Sequence, residues 1–250
     1  TNFNKMTSNL RSPLNTAKLS GQRIFIRMND TYKLLTMPSI FEVGMNYSKW
    51  IYKLDDDTIT ITSAIHYAKN EIITTLESLK QHTYDFIVIN QLVMGANDYE
   101  HPSVIKTFEG GLDIYPSEHA MCQEKTPNLK YRMKLNQPFK MRDDSIFYQD
   151  NISRNQPVLA LEINTQSTFK ITTQGLIDGE ALEDDAKSLD EVIEHYNEQY
   201  RKRVNHFNLS IDNEMKEDVD KFNDLAMWYT HNAHIHYASP HGLEQYSGAA

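Results

Sequence analysis

With 250 residues, 40% of them hydrophobic and 24% charged, the chain is long enough to bury a substantial core in one large or two smaller domains. A formal net charge of −9 disfavours a nucleic-acid partner, because phosphate binding needs concentrated Lys and Arg. No apolar run approaches the ~20 residues of a membrane helix, and the lone Cys122 cannot close an internal disulfide, which suits a reducing cytoplasm.

The first part of the chain is dominated by strand signals. Gln22 to Met28 and Ser48 to Leu54 read as strands, and Thr58 to Tyr67 alternates cleanly. That alternation places Ile59, Ile61, Ile65 and Tyr67 on one face and Thr58, Thr60, Thr62 and His66 on the other, as in a half-buried antiparallel strand. Tyr84 to Met94 is apolar on both faces, which suits a central strand. Val158 to Ile163 and Phe169 to Thr172 extend the series. Turn signals fall between them at Asn29-Asp30, Asp55 to Asp57, Gly110-Gly111 and Asn155 to Pro157. Many strands with no intervening helical pattern predict one large two-sheet sandwich over residues 1–185.

Gly175 to Lys187, with Glu180, Glu183, Asp184 and Asp185, reads as a solvated acidic linker. From Ser188 the apolar period becomes helical, so residues 186–250 are predicted as a separate helical region. Ser188-Leu-Asp-Glu191 is a capping box, in which the Ser oxygen and the Glu carboxylate satisfy amides at the helix start. Leu189, Val192, Ile193, Tyr196, Tyr200, Val204 and Phe207 form its apolar stripe. A second helix begins near Asp212 with Met215, Val219, Phe222, Ala226, Tyr229 and Ala233 as its stripe, and Pro240 stops it. The chain opens at Thr1 and stops on Gly-Ala-Ala after a block dense in aromatic, His and amide residues, which reads as the front part of something larger. Apolar surface around Phe222, Leu225 and Tyr229 is therefore expected to be exposed, or covered in a dimer.

The motifs that carry chemistry are sparse. There is no phosphate-cradling Gly loop and no Gly-x-Ser-x-Gly elbow. His231, His234, His236 and His241 cluster in sequence, but no Cys accompanies them and Glu244 is the one close carboxylate. They read as polar lining of a cleft, with no metal expected. The paired carboxylates that glycoside cleavage needs have candidates in Asp55 to Asp57, Asp143-Asp144 and Asp184-Asp185. All sit in turns or the linker and read as solvated caps, so no catalytic residue is assigned. Trp50, beside Tyr52, reads as core; Trp228, off the second helix's stripe, is the better sugar-contact candidate.

The block Ala226-Met-Trp228-Tyr-Thr-His-Asn232-Ala, then Ser239-Pro-His241-Gly-Leu-Glu-Gln245-Tyr-Ser-Gly248-Ala-Ala250, resembles the opening of the catalytic barrel of glycoside hydrolase family 94, the cellobiose phosphorylase-like group. The resemblance is specific over residues 226–250 and architectural elsewhere. It implies a mainly β fold, a large antiparallel β-supersandwich of the galactose-mutarotase-like kind, followed by a helical linker and the first helix of an (α/α)6 barrel. It further implies inverting cleavage of a β-glycosidic bond of an oligosaccharide or disaccharide by inorganic phosphate, with an Asp general acid in the barrel and no metal or organic cofactor. A homodimer, in which the sandwich contributes to the contact, is also implied. Gln245 and Gly248 carry over as part of the sugar-site wall, and Trp228 and His241 are the further substrate-binding candidates. The family's Arg-Asp pair and its general acid fall beyond Ala250, so this chain alone is expected to be inactive. Leu243 and Glu244 stand where other members carry aromatics, which leaves the sugar open. The alternative is a stand-alone carbohydrate-binding or structural and dimerisation sandwich.

Overall fold

The computed structural model describes residues 21–67, 69–92, 103–116, 127–156, 158–176, 187–204, 215–235, 237–238 and 245–246. Two compact units divide between Val192 and Ile193. The first is mainly β and holds two antiparallel sheets.

The smaller sheet contains β1 (Gly21–Met28), β2 (Thr31–Leu34), β7 (Tyr84–Gln91), β11 (Lys140–Arg142) and β12 (Val158–Gln166), in the order β11-β12-β7-β1-β2. The larger contains β3 (Ile40–Val43), β4 (Tyr47–Lys53), β5 (Thr58–Ile65), β6 (Glu71–Ser78), β8 (Val104–Phe108), β9 (Gly111–Tyr115), β10 (Lys130–Leu135) and β13 (Thr168–Leu176), in the order β3-β4-β5-β6-β13-β10-β9-β8. The predicted sandwich is thus present, and β7 holds the central position that its two apolar faces foretell.

The core lies between the sheets. Ile26, Phe86, Val88, Leu159, Leu161 and Ile163 come from the smaller sheet. Ile59, Leu76, Leu112, Ile114, Met133, Phe169 and Ile171 come from the larger. Phe86 and Phe169 meet across the gap edge to face, with ring centroids 5.3 Å apart. Trp50 packs against this core beside buried Tyr52, as read from the sequence. The smaller sheet's second face carries its own cluster of Ile87, Ile89 and Ala160, with Ile146 from a 3-10 turn (Asp144–Phe147) against it.

The turns follow their residue chemistry. Asn29 and Asp30 adopt φ of 48° and 62°, joining β1 to β2 as a two-residue hairpin turn. Gly110, at φ 77°, turns β8 into β9. A Cβ on Gly111 would stand 2.4 Å from the Met133 carbonyl oxygen, so β10 approaches too closely for a side chain there.

Two sequence expectations need correction. In β5, Ile59 and Ile61 face the core, but burial then changes face: Thr62, Ala64 and His66 are buried while Ile65 is 56% exposed. The opposite face of the larger sheet is covered at that end, so the apolar alternation ceases to report the core. In addition, Gly175 and Leu176 belong to β13, paired with Tyr131 and Lys130, and not to the linker. Residues 177–186, the rest of that linker, lie outside the described residues.

The remainder contains α1 (Leu189–Val204) and α2 (Lys216–Ile235), then β14 (Tyr237–Ala238) paired with β15 (Gln245–Tyr246). The capping box forms: the Ser188 amide donates to Glu191 Oε2 at 2.7 Å and the Glu191 amide to Ser188 Oγ at 3.2 Å. On α2, Phe222, Leu225 and Tyr229 are 53%, 54% and 70% exposed, as expected of a stripe without a cover. No helix among the described residues is long and apolar enough to cross a membrane.

Candidate functional site

The residues that the sequence nominates for sugar contact all fall between positions 228 and 248 of the chain. Trp228 stands on α2. Gln245 lies in β15 opposite Ala238, and the connection between the two strands carries His241. His241 and Gly248 lie outside the described residues, as do the side chains of Trp228 and Gln245. Cys122, Asp184 and Asp185 lie outside them too.

Two carboxylates of the sandwich, Asp57 and Asp144, are not the solvated caps that their turns suggested. Asp57 is buried and accepts four hydrogen bonds: Ser78 Oγ at 2.6 Å, the Thr58 amide at 2.7 Å, Tyr84 Oη at 2.9 Å and the Lys80 amide at 3.1 Å. Burial alone would raise its pKa, but the bonds donated by Ser78, Lys80, Thr58 and Tyr84 outweigh it and hold the carboxyl below its ordinary range. Burial, with the Asp57 charge and hydrogen bond behind it, pushes the Tyr84 phenol up to about 12. Asp144 is equally buried and accepts from Ser153 Oγ, the Arg154 amide at 2.9 Å and the Gln156 amide at 3.2 Å. Burial again opposes ionisation and these donors again prevail. The other acids of these runs, Asp55, Asp56 and Asp143, are exposed, as solvated caps should be. A general acid needs a pKa raised toward neutrality; Asp57 and Asp144 are held the other way, so their chemistry is to brace loops.

Strand register assembles one cluster that the sequence does not announce. On one face of the larger sheet, Asp113, Arg132, Gln174 and Glu71 are successive cross-strand neighbours, and the His66 amide donates to the Glu71 carbonyl. Asp113 takes both prongs of Arg132, at 2.7 Å each, and Lys130 at 3.0 Å. Gln174 Nε2 donates to Glu71 Oε2. Lys106 and Lys130 stand 5.0 and 5.8 Å from the Tyr115 ring centre, and Arg132 stands 5.0 Å from that of Phe108. Each residue alone is an ordinary outward strand position; only the pairing makes them a row.

The Arg132 hydrogen bond is the main reason that the Asp113 pKa falls to about 2, against the burial that opposes it, and Lys130 adds to it. Its folded value lies below the unfolded one, so the stabilisation is complete above about pH 4 and is lost as pH falls toward the folded value. Asp113→Asn is expected to cost about 2 kcal/mol in urea unfolding near neutral pH and little near pH 2. Equal losses at both pH values would show that the charge is not what matters.

A shallow polar depression of about 430 Å³ lies at one end of the smaller sheet, lined by Arg27, Asn29, Asp30, Thr83, Tyr84, Asp85 and Thr165. Among the described residues no group of three or more His, Cys, Asp or Glu could hold a metal ion.

Comparison with known proteins gives this architecture its place. Over its whole length the chain is 32% identical to the 1,2-beta-oligoglucan phosphorylase of Listeria innocua, of which it covers 22%. The chain thus spans about a fifth of that relative's length. Among solved structures, a putative kojibiose phosphorylase from the human microbiome overlaps 87% of this chain and 28% of its own, at 14% identity and a TM-score of 0.35. Residues 1–175 match the family described as the glycoside phosphorylase supersandwich domain. The chain therefore belongs to the glycoside phosphorylase supersandwich family, and its two-sheet unit is that domain.

Proposed function

We propose that this chain is a non-catalytic part of a phosphorylase of the cellobiose phosphorylase-like group, glycoside hydrolase family 94, acting on β-linked glucose oligosaccharides. The observation that carries this reading is the 32% identity, along the whole of this chain, to about a fifth of a 1,2-beta-oligoglucan phosphorylase. In it, inorganic phosphate attacks the anomeric carbon on the face opposite the departing sugar, and an acid outside this chain protonates the leaving oxygen. The products are a sugar 1-phosphate and a shortened oligosaccharide. Phosphate serves as co-substrate, with no metal or organic cofactor. The depressed pKa values of Asp57 and Asp144 support placing the acid elsewhere.

The sandwich packs on the catalytic barrel, and Trp228, His241, Gln245 and Gly248 edge the sugar site. The exposed stripe of Phe222, Leu225 and Tyr229 supports a barrel contact for α2. Pairing of subunits is supported by β3, an edge strand of the larger sheet that exposes Ile40, Phe41 and Val43. The single cysteine supports a cytoplasmic setting. Two readouts test this: the 250-residue chain, given phosphate and β-1,2-linked glucan, should release no sugar phosphate, and in sedimentation it should self-associate. Turnover by the chain alone would refute the non-catalytic role, and a strict monomer at high concentration would refute the pairing.

A further inference from the structure

We propose that the depression at the end of the smaller sheet is an accessory site for a neutral oligosaccharide. Its volume of about 430 Å³ falls within the roughly 300–1,000 Å³ of small-molecule sites. Three parts of the smaller sheet build it: the end of β1 with the β1–β2 turn, the start of β7, and the irregular stretch near the end of β12. The lining is almost wholly polar, unlike the apolar walls of most pockets, so it suits a ligand covered in hydroxyl groups.

The charges select among polar ligands. Arg27 stands between Asp30, at 3.3 Å, and Asp85, at 3.4 Å. Two carboxylates against one guanidinium disfavour phosphate or a sugar phosphate, and a planar guanidinium beside carboxylates offers paired donors and acceptors to neighbouring hydroxyls. Both Arg27 contacts are long and its side chain is 45% exposed, so it can still donate to a ligand. Asp30 is 96% exposed.

Backbone strain marks the same place. Thr165 holds φ of 56°, rare for a β-branched residue, where the pairing of β12 with β7 shifts register between Ile163 and Gln166. Its amide donates to Asp85 Oδ1 at 2.9 Å, which fixes the carboxylate at the rim. The left-handed residue at this bulge thus goes with a carboxylate held at the rim of the depression.

An open depression of this kind binds weakly, with Kd about a millimolar. The choice of sugar rests on the proposed phosphorylase reading. The test is backbone-amide NMR of the 250-residue chain titrated with a β-1,2-linked glucotriose, with inorganic phosphate as the comparison. Saturable shifts confined to residues 27–30, 83–85 and 165 are expected. Arg27→Ala and Asp30→Ala should each weaken binding about tenfold, the loss expected of charge-assisted hydrogen bonds. Asp30, being exposed, keeps the test valid if Arg27→Ala harms the fold. No saturation at concentrations on the order of tens of millimolar, shifts unchanged in both variants, or a preference for phosphate would each overturn the site. Phosphorolysis by the proposed parent phosphorylase is measured separately, so failure here leaves the proposed activity standing, and the reverse holds too.

Discussion

Phe86→Ala is expected to destabilise the sandwich by about 3–5 kcal/mol in denaturant unfolding, the usual cost of emptying a core phenylalanine site. Phe86 is fully buried on β7, the central strand of the smaller sheet, and its ring meets Phe169 of β13 in the larger. The substitution removes apolar area from both sheets at the point where they face each other, and neither backbone can close the gap, because each strand is hydrogen-bonded on both sides. Phe86→Leu should recover more than half of the loss by refilling most of the volume. A loss below about 1 kcal/mol for the alanine variant would mean that the sheets do not pack through this pair.

Asp57→Ala is the second large expected effect, about 3 kcal/mol or more. The carboxylate binds β5 through Thr58, β6 through Ser78 and β7 through Tyr84, so one side chain fastens the two sheets at the β4–β5 turn. Its removal leaves four donors without their acceptor, two of them backbone amides, and a buried unsatisfied donor costs about 1–3 kcal/mol. Asp57→Asn keeps an acceptor but sets an amide donor against hydroxyl and amide donors, so an intermediate loss is expected. Folding holds this pKa below its ordinary value, so the contribution is complete above about pH 4 and lost as pH falls through the folded value. Unfolding curves of the wild type and Asp57→Asn should therefore converge in acid. Parallel curves down to about pH 2 would contradict the ionic role.

The parts of the fold legible in the sequence are those where one sheet face is apolar and the other is not. Gln22 to Met28 and Thr58 to Ile61 announce themselves by alternation, and Val158 to Ile163 and β7 by carrying apolar residues on both faces. β10 escaped notice because Lys130, Arg132 and Lys134 separate Tyr131, Met133 and Leu135, so the charge masks a strict inside–outside pattern. β6 escaped because Glu71, Ile73, Thr74, Leu76 and Ser78 are buried from both faces. The capping box at Ser188 was legible to the residue, since it is a purely local device. The row from Asp113 to Glu71 was not, because it exists only through register among strands distant in sequence. The roles of Asp57 and Asp144 were misjudged for a related reason: an acid in a turn looks solvated until the donors that surround it, from Ser78 and Tyr84 or from Ser153 and Gln156, are brought in by the fold.

The most direct test of the proposed activity is a phosphorolysis assay on the proposed parent phosphorylase, with β-1,2-linked glucan as substrate and phosphorus NMR to identify the product. Release of glucose 1-phosphate in the α configuration, absent without phosphate and absent with the 250-residue chain alone, is the predicted result. Glucose released without phosphate, or sugar phosphate formed by the isolated chain, would contradict it.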